Sequence, residues 1–355
     1  MSRSMNTSSG FTLVELMVAT LLLSVVIIGA FESLTRQHKA SIVTEDIVEV
    51  QNNTRAIATL LEREIRMAGF MVPNAAAICG VDNTNAPDEI YISETEPIVP
   101  DDERAGDLGA RITEPGFTGI GVAAGSSESL TLDSDTTDLD DDGAFFYDND
   151  GNGTAEADFR VQGGFIIGDL RNPHRGALCG IVTAASATNI SVTYTAGSLI
   201  PRVASVDAGE ELVIVPAARY WIDTATGTKL RRNGDLLANS VEDFQVAYFF
   251  DANNDGLPSP ATATTLVDLA GTTTTPPAAS VPPGIVYDPS ARDNQDLKEV
   301  GFSFVVRSRA TDPEFTGGQF INNQNRDAIA GFDGFRRRTI EGRVRPRNIG
   351  ITGSI

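Results

Sequence analysis

Ten carboxylates and no basic side chain lie between residues 133 and 158. Calcium takes six to eight oxygen ligands, and an EF-hand-like loop supplies several of them from alternate positions ahead of a glycine. Two stretches of this run have that alternation. The candidate ligands are Asp138, Asp140, Asp142, Asp148, Asp150, Asn152 and Asp158. The pattern predicts a calcium site and no other cofactor; the alternative is a solvated acidic turn, because neither loop has the bidentate glutamate at position 12.

The chain has two cysteines, Cys79 and Cys179. The chain also has an apolar run near its N-terminus, at Phe11 to Ala30, that could target it to a membrane. Behind such a segment, an even pair without metal-type spacing predicts one disulfide formed in an oxidising compartment such as the periplasm. A loop of about 100 residues closed in this way stabilises the fold by roughly 4 to 5 kcal/mol in the chain-entropy model. The alternative is a pair of unrelated buried thiols.

The other reactive side chains form no recognisable catalytic set. There are two histidines, His38 and His174, and no nucleophile elbow, phosphate-binding loop or zinc-protease motif. No pair among the 48 acidic residues stands out as the carboxylate pair of a hydrolase. We therefore predict that the protein is not an enzyme. The net charge of −21 also argues against nucleic acid as a partner, since phosphate binding needs a basic face.

One further carboxylate, Glu15, lies inside an apolar run from Phe11 to Ala30. A helix of about 20 apolar residues crosses the hydrocarbon core of a bilayer. An ionisable group at that depth costs free energy unless it has a partner. No small-residue cleavage site follows Ala30, so the run predicts a retained membrane span and not an ordinary secretory signal. From the residues alone, Glu15 is either an incidental charge in a signal anchor or a functional group.

The elements that position these groups change character at Gly69. Between Gly29 and Gly69 the chain has neither glycine nor proline and consists mainly of helix-forming residues. Apolar residues recur there at helical spacing, as in Ile57, Leu61 and Ile65. The pattern predicts one helix over 11–68, with 11–30 as its membrane-spanning part and Gly69 as its C-terminal stop.

Beyond Gly69 the apolar residues alternate with the two-residue period of strands. Turn signals such as Asn233-Gly234 separate the candidate strands. The clearest candidates are 157–170, 210–223, 241–251, 300–310 and 336–348. The expected fold class is α+β: a long N-terminal helix, membrane-spanning in its first half, packed on a mainly antiparallel β-rich globular head over 69–355.

The stretch G-F-T-L-V-E-L at Gly10–Leu16 resembles the prepilin signature of type IV pilins and pseudopilins. The resemblance implies a leader over 1–10, cleavage after Gly10 by a prepilin peptidase, and methylation of the new amino terminus at Phe11. It also implies that Glu15 acts in assembly. Its carboxylate would be unpaired after insertion and would then meet the charged amino terminus of a neighbouring subunit, which sets the register of the fibre.

Several looser stretches resemble the PilW group of minor pilins. They are 50–70, 165–170, 218–251 and 336–348. The resemblance implies a minor pilin that helps initiate assembly of a type IV pilus and sits at or near its tip. The implied partners are the prepilin peptidase, other minor pilins, the major pilin, the inner-membrane assembly platform and a large tip adhesin.

The implied route begins in the inner membrane, as a single-pass precursor with its head in the periplasm, and ends in the pilus fibre at the cell surface. Two alternatives remain open. A J-type pseudopilin of a type II secretion system would share the N-terminal signature, although much shorter heads are usual in that group. An anchored calcium-dependent adhesion or binding module would use the acidic loops to recognise a surface or ligand.

Overall fold

The computed structural model describes the chain from Thr12 to Ile349 with gaps. The described residues are 12–70, 72–83, 86–94, 110–112, 117, 119–132, 146–147, 156–157, 159–169, 176–186, 189–197, 212–225, 228–250, 266–267, 273–274, 285–286, 297–309, 311, 315, 326 and 333–349. The chain divides into two compact units, residues 1–51 and residues 52–355.

A single helix, α1, extends over Leu13–Met67 and begins in the first unit. Its first part, Leu13–Lys39, is long and apolar enough to cross a membrane, with a mean hydropathy of 2.5 and no buried residue in its most apolar stretch. In the second unit the helix buries one face. Ile57, Leu61 and Ile65 are 6%, 0% and 0% exposed, as their helical spacing predicts.

Gly69 stops the helix. Its φ of 78° lies in the left-handed region that a C-terminal cap requires and that glycine adopts without strain. A Cβ at this position would lie 3.1 Å from Cγ1 of Ile349. The absence of a side chain therefore also lets the C-terminal segment approach the end of the helix. A short 3₁₀ helix, Asn74–Ala76, follows.

The other secondary-structure elements of the described chain are strands. In chain order they are β1 (Ile78–Val81), β2 (Glu89–Ser93), β3 (Ala110–Arg111), β4 (Ser127–Thr131), β5 (Phe146–Tyr147), β6 (Glu156–Ala157), β7 (Gly164–Asp169), β8 (Leu178–Ala185), β9 (Asn189–Gly197), β10 (Leu212–Asp223), β11 (Lys229–Arg232), β12 (Asp235–Asn239), β13 (Val241–Phe250), β14 (Leu266–Val267), β15 (Thr273–Thr274), β16 (Ile285–Val286), β17 (Leu297–Arg307) and β18 (Arg337–Val344).

Within the described residues, the larger sheet has the strand order β1-β2-β10-β7-β8-β9-β4, with β3 and β11 also paired to β10 and β12 paired to β11. The second sheet has the order β16-β13-β17-β18. Two small hairpins, β5-β6 and β14-β15, complete the set. Neighbouring strands run antiparallel throughout these described pairings. An apolar N-terminal helix followed by an antiparallel β-rich head confirms the predicted α+β class.

Each of the five predicted strand regions contains a strand, but β13 is more buried than its alternation suggests. The predicted inner face of β13 includes Phe244 and Val246, which are 0% and 1% exposed. Asp243 and Gln245 on the opposite face are also fully buried. The reason is that β2, β10 and β11 of the larger sheet contact β13 as well. A period-two pattern predicts one covered face, whereas this strand has two.

The predicted turn at Asn233-Gly234 joins β11 and β12. Both residues have positive φ angles, 50° and 95°, as the two-residue type I′ hairpin turn requires. Asn233 also uses its side chain: its Oδ1 accepts a hydrogen bond of 2.8 Å from the Arg219 backbone N–H on β10. The turn thereby fixes the hairpin against the central strand of the larger sheet.

Candidate functional site

Glu15 is positioned by the first turn of α1. The backbone N–H and the hydroxyl of Thr12 each donate a hydrogen bond of 2.9 Å to Glu15 Oε2. In return, the Glu15 backbone N–H donates to the Thr12 hydroxyl at 3.3 Å. This reciprocal arrangement is a capping box, which satisfies amide groups that a helix start leaves without intrahelical partners. The Thr-x-x-Glu spacing was the available sequence signal for it, and our sequence analysis missed it.

The capping box changes the expected state of Glu15 before assembly. We expected an unpaired carboxylate, but Oε2 already accepts two hydrogen bonds from its own chain. The negative charge also lies at the positive end of the helix dipole. Within the described residues Oε1 accepts no hydrogen bond, so a cation from a second chain can still bind there. The other two predicted processing residues, Gly10 and Phe11, lie outside the described residues.

The helix surface around Glu15 is apolar and exposed. The side chains of Leu13, Val14 and Leu16 are between 61% and 75% exposed. Further along, Glu32 and Arg36 form an exposed ion pair of 2.7 Å. An apolar surface of this extent is stable only in lipid or against other apolar helices.

The predicted disulfide is present. Cys79 on β1 and Cys179 on β8 are bonded, with Sγ atoms 2.00 Å apart and Cα atoms 6.2 Å apart. Both residues are fully buried in the core of the larger sheet. The bond therefore joins two strands that are not neighbours in the sheet order, and it closes a loop of 100 residues.

The predicted calcium ligands lie outside the described residues. These are Asp138, Asp140, Asp142, Asp148, Asp150, Asn152 and Asp158. In the part of the chain that the structure describes, no group of three or more histidine, cysteine, aspartate or glutamate side chains could hold a metal ion. The calcium site stays a prediction.

A polar network joins the last turns of α1 to the larger sheet. Glu64 accepts a hydrogen bond of 2.6 Å from the Tyr220 hydroxyl and one of 3.0 Å from Nε of Arg232. Arg232 also donates to Glu94 at 2.6 Å. Burial raises the pKa of the Glu64 carboxyl, and the Arg232 guanidinium opposes that rise. Sequence analysis missed this network because its members lie up to 168 residues apart.

A second missed cluster contains two buried carboxylates, Asp88 and Asp243, which are 1% and 0% exposed. Asp88 accepts hydrogen bonds of 2.8 Å from the backbone N–H groups of Asn83 and Val246. Asp243 is paired with Arg326. Burial raises the pKa of Asp88 well above its usual range, and the negative charge of Asp243 adds to that rise. Because backbone N–H groups bind Asp88 and the side chains of Gln245 and Arg326 bind Asp243, both carboxylates act in the structure of the head.

Comparison with known families identifies the N-terminal segment. The family model described as "Prokaryotic N-terminal methylation motif" matches residues 5–31. The segment carries a prepilin-type methylation motif. The match contains Gly10, Phe11 and Glu15, the three residues that the sequence analysis selected, and it does not extend into the head.

Comparisons of the whole chain do not assign it to a family. No curated protein matches it. Among solved structures, the type IV-like pilin TTHA1219 from Thermus thermophilus is similar, with 12% sequence identity over 85% of this chain and 98% of that chain and a TM-score of 0.29. A TM-score of this size does not establish a shared fold. None of these matches distinguishes the PilW group from other proteins with the same motif.

Proposed function

We propose that the chain is a minor pilin of the PilW group that helps initiate assembly of a type IV pilus and sits at or near its tip. The observation that carries this proposal is the methylation motif at residues 5–31. The exposed apolar stretch Leu13–Lys39 supports it, because such a helix needs lipid before assembly and other helices afterwards. The PilW assignment rests on the looser sequence resemblances at 50–70, 165–170, 218–251 and 336–348.

In this proposal the precursor crosses the inner membrane once, with its head in the periplasm. A prepilin peptidase cuts between Gly10 and Phe11, and Phe11 is then methylated. The mature chain passes through the inner-membrane assembly platform and joins other minor pilins and the major pilin in a fibre at the cell surface. A large tip adhesin is a further partner.

Glu15 has two successive tasks in this proposal. In the precursor its Oε2 caps the helix start through Thr12. In the fibre its remaining oxygen pairs with the charged amino terminus of a neighbouring subunit. A carboxylate can accept several hydrogen bonds at once, so the second partner does not displace the first.

Mass spectrometry of the N-terminal peptide tests the processing step. The chain isolated from cells with an active prepilin peptidase should begin at methylated Phe11, and the chain from peptidase-deficient cells should retain residues 1–10. Any other mature start removes the pilin proposal.

The role as a minor pilin needs a separate test, because processing is common to all chains with this motif. We expect a deletion strain to show few surface pili, and quantitative peptide counts of purified fibres to find this chain at a small fraction of the major pilin. Antibody labelling should mark fibre ends. Labelling along the whole fibre would contradict the tip position.

We also propose that the acidic run binds calcium through Asp138, Asp140, Asp142, Asp148, Asp150, Asn152 and Asp158. The support is the sequence pattern and the mutual repulsion of ten carboxylates, which a divalent cation would relieve.

Calcium at a hundredfold excess over its Kd should stabilise the folded chain by about 2.7 kcal/mol. Thermal melts in calcium, magnesium and chelator test this. Equal melting temperatures in all three would leave only a solvated acidic turn, and Asp150→Ala should abolish a calcium-specific shift.

A further inference from the structure

Charged side chains bound the apolar part of α1 at both ends. Glu15 closes it on the N-terminal side. Glu32 closes it on the C-terminal side, where it forms an ion pair of 2.7 Å with Arg36. Between the two glutamates, residues 16–31 contain no ionisable side chain. Because an α-helix rises 1.5 Å per residue, this uncharged stretch is about 24 Å long.

Two hydroxyl side chains inside this stretch do not interrupt it. Thr20 donates a hydrogen bond of 2.9 Å to the carbonyl of Met17, and Ser24 donates one of 2.7 Å to the carbonyl of Leu21. Each hydroxyl is thereby satisfied within its own helix, as a lipid environment requires. Residues 16–31 can therefore lie in hydrocarbon along their whole length.

The start of α1 gives a second reason for the N-terminal boundary. The helix begins at Leu13, and a helix start leaves its first backbone N–H groups without acceptors inside the helix. The Thr12 hydroxyl accepts from one of them, the N–H of Glu15, at 3.3 Å. The others need water or lipid headgroups, because hydrocarbon offers no acceptor. The first turn of α1 therefore has to lie at the membrane surface, together with the Glu15 carboxylate.

The ion pair of Glu32 and Arg36 defines the opposite boundary. Their side chains are 63% and 77% exposed, so both are open to headgroups and water. A further cation, Lys39, follows in the next turn. Charged groups in hydrocarbon are costly, and long basic side chains extend toward the headgroups. The helix therefore leaves the hydrocarbon at about Glu32.

The distance between these two boundaries is shorter than an ordinary bilayer. The hydrocarbon core of a typical bilayer is about 30 Å thick, so residues 16–31 are about 6 Å too short to cross it. Tilting reduces the length of a helix along the bilayer normal, so a tilt would increase this deficit. A short helix is accommodated by a thinner bilayer, at a cost that rises with each ångström of mismatch.

We propose that the N-terminal part of α1 binds preferentially to phospholipids with short acyl chains and thins a thicker bilayer around itself. The inference rests on the proposed function in one respect, because it requires that the helix crosses a membrane before assembly. A chain that leaves a bilayer of ordinary thickness releases the deformation of the lipid. This release favours the transfer of the helix from the membrane into a fibre of packed helices.

Quenching of tryptophan fluorescence by brominated phosphatidylcholines measures which acyl chains surround the helix. Leu23→Trp places the fluorophore in the middle of residues 16–31, at a position that is 58% exposed. The chain without this change gives the background from Trp221. The full chain from peptidase-deficient cells is reconstituted into mixtures of lipids with short, medium and long monounsaturated acyl chains, of which one lipid is brominated. The short-chain lipid should bind the helix about threefold or more tightly than the long-chain lipid.

A lengthened variant tests the cause of the preference. Glu32→Leu combined with Arg36→Leu extends the uncharged stretch to about 31 Å and leaves the net charge of the chain unchanged. This variant should lose its preference for the short-chain lipid and favour the medium-chain lipid. Arg36→Lys retains the ion pair and should retain the original preference. Glu62→Leu with Arg66→Leu makes the same change in an ion pair beyond the span and should also retain it.

Three results would overturn the proposal. The first is equal binding of all the lipids or a preference for the longest chains. The second is the same preference in the lengthened variant and the unchanged chain. The third is the absence of quenching by every brominated lipid, since protein and not lipid would then cover the helix.

N-terminal mass spectrometry distinguishes a failure of this inference from a failure of the proposed function. A chain that prefers short-chain lipids, but that cells with an active prepilin peptidase never cleave at Gly10, would keep this inference and remove the pilin proposal. Cleavage at Gly10 without a lipid preference would remove only this inference.

Discussion

Glu15 and Glu64 lie on the same helix in opposite surroundings. Glu15 accepts hydrogen bonds from Thr12, three residues away, among exposed apolar side chains. Glu64 accepts hydrogen bonds from Tyr220 and Arg232, which are 156 and 168 residues away. The first carboxylate takes the partners of its Oε2 from local sequence alone, whereas both oxygens of the second have partners only when the head has folded.

The apolar side chains of the two regions differ in the same way. Leu61 and Ile65 are fully buried within their own chain. Leu21 and Leu22 are 64% and 59% exposed. The part of the helix with Leu61 and Ile65 therefore contributes to the stability of the head. The part with Leu21 and Leu22 can contribute only through contacts with lipid or with other chains. One continuous helix thus serves two purposes because its hydrophobic pattern changes from apolar all round to apolar on one face.

The largest expected difference between the regions comes from leucine truncation. Leu61→Ala should lower the free energy of unfolding of the head by about 2 to 5 kcal/mol, because it removes buried contacts and leaves a cavity. Leu22→Ala should change it by less than about 0.5 kcal/mol. Denaturant unfolding of the full chain, followed by the fluorescence of Trp221 on β10, checks both. Equal losses would show that the exposed stretch supports the head.

Glu64→Ala should have the next largest effect. The change leaves the buried Tyr220 hydroxyl without its acceptor and removes one of two carboxylates from Arg232, which we expect to cost about 1 to 3 kcal/mol of stability. Arg232 keeps Glu94, so the loss should be smaller than for a buried cation with no partner. The same unfolding assay measures it, with Glu62→Ala as the control, because the half-buried Glu62 of the same helix pairs with the exposed Arg66 at 3.5 Å. No difference between the two variants would contradict the structural role of the network.

The Glu15 variants separate capping from charge. Glu15→Gln can still form a capping box but has no negative charge, whereas Thr12→Val keeps the charge and loses the hydroxyl. We expect Glu15→Gln to enter fibres as poorly as Glu15→Ala, and Thr12→Val to enter them nearly as well as the unchanged chain. The loss of the cap alone should cost about 1 kcal/mol at the helix start.

Immunoblots of the membrane and fibre fractions measure the incorporation of these Glu15 and Thr12 variants. The membrane fraction also shows whether insertion is unchanged. If Glu15→Gln enters fibres normally, the carboxylate acts as a cap and not as the partner of a neighbouring amino terminus.

Asp88 should add a pH dependence to the stability of the head. Its pKa is raised above the ordinary value of 3.8 in the folded state, so the folded chain holds this proton more tightly than the unfolded chain. The contribution of Asp88 to stability is therefore complete below that ordinary value and is lost as the pH rises through the raised pKa. Asp88→Asn cannot titrate, so the difference between its stability curve and that of the unchanged chain should follow this window. If the free energies of unfolding of the two chains follow parallel curves against pH, the pKa of Asp88 is the same in the folded and unfolded states.

The sequence by itself determined the local features of this protein. The helix, its stop at Gly69, the turn at Asn233-Gly234 and the alternation of the main strands depend on residues close in the chain. Such features follow from backbone conformations and side-chain periods that neighbours alone decide. The capping box of Thr12 and Glu15 is equally local. It was not predicted, because a carboxylate inside an apolar membrane span was expected to find its partner on a neighbouring chain.

Tertiary structure alone decided which distant groups meet. The fold bonds Cys79 on β1 to Cys179 on β8 although these strands are not neighbours in their sheet, and it places Glu64 of α1 beside Arg232 on β11. It also covers both faces of β13, so that Asp243 is buried. No short-range pattern carries this information, because the pairing of strands separated by a hundred residues depends on how all the elements share one core.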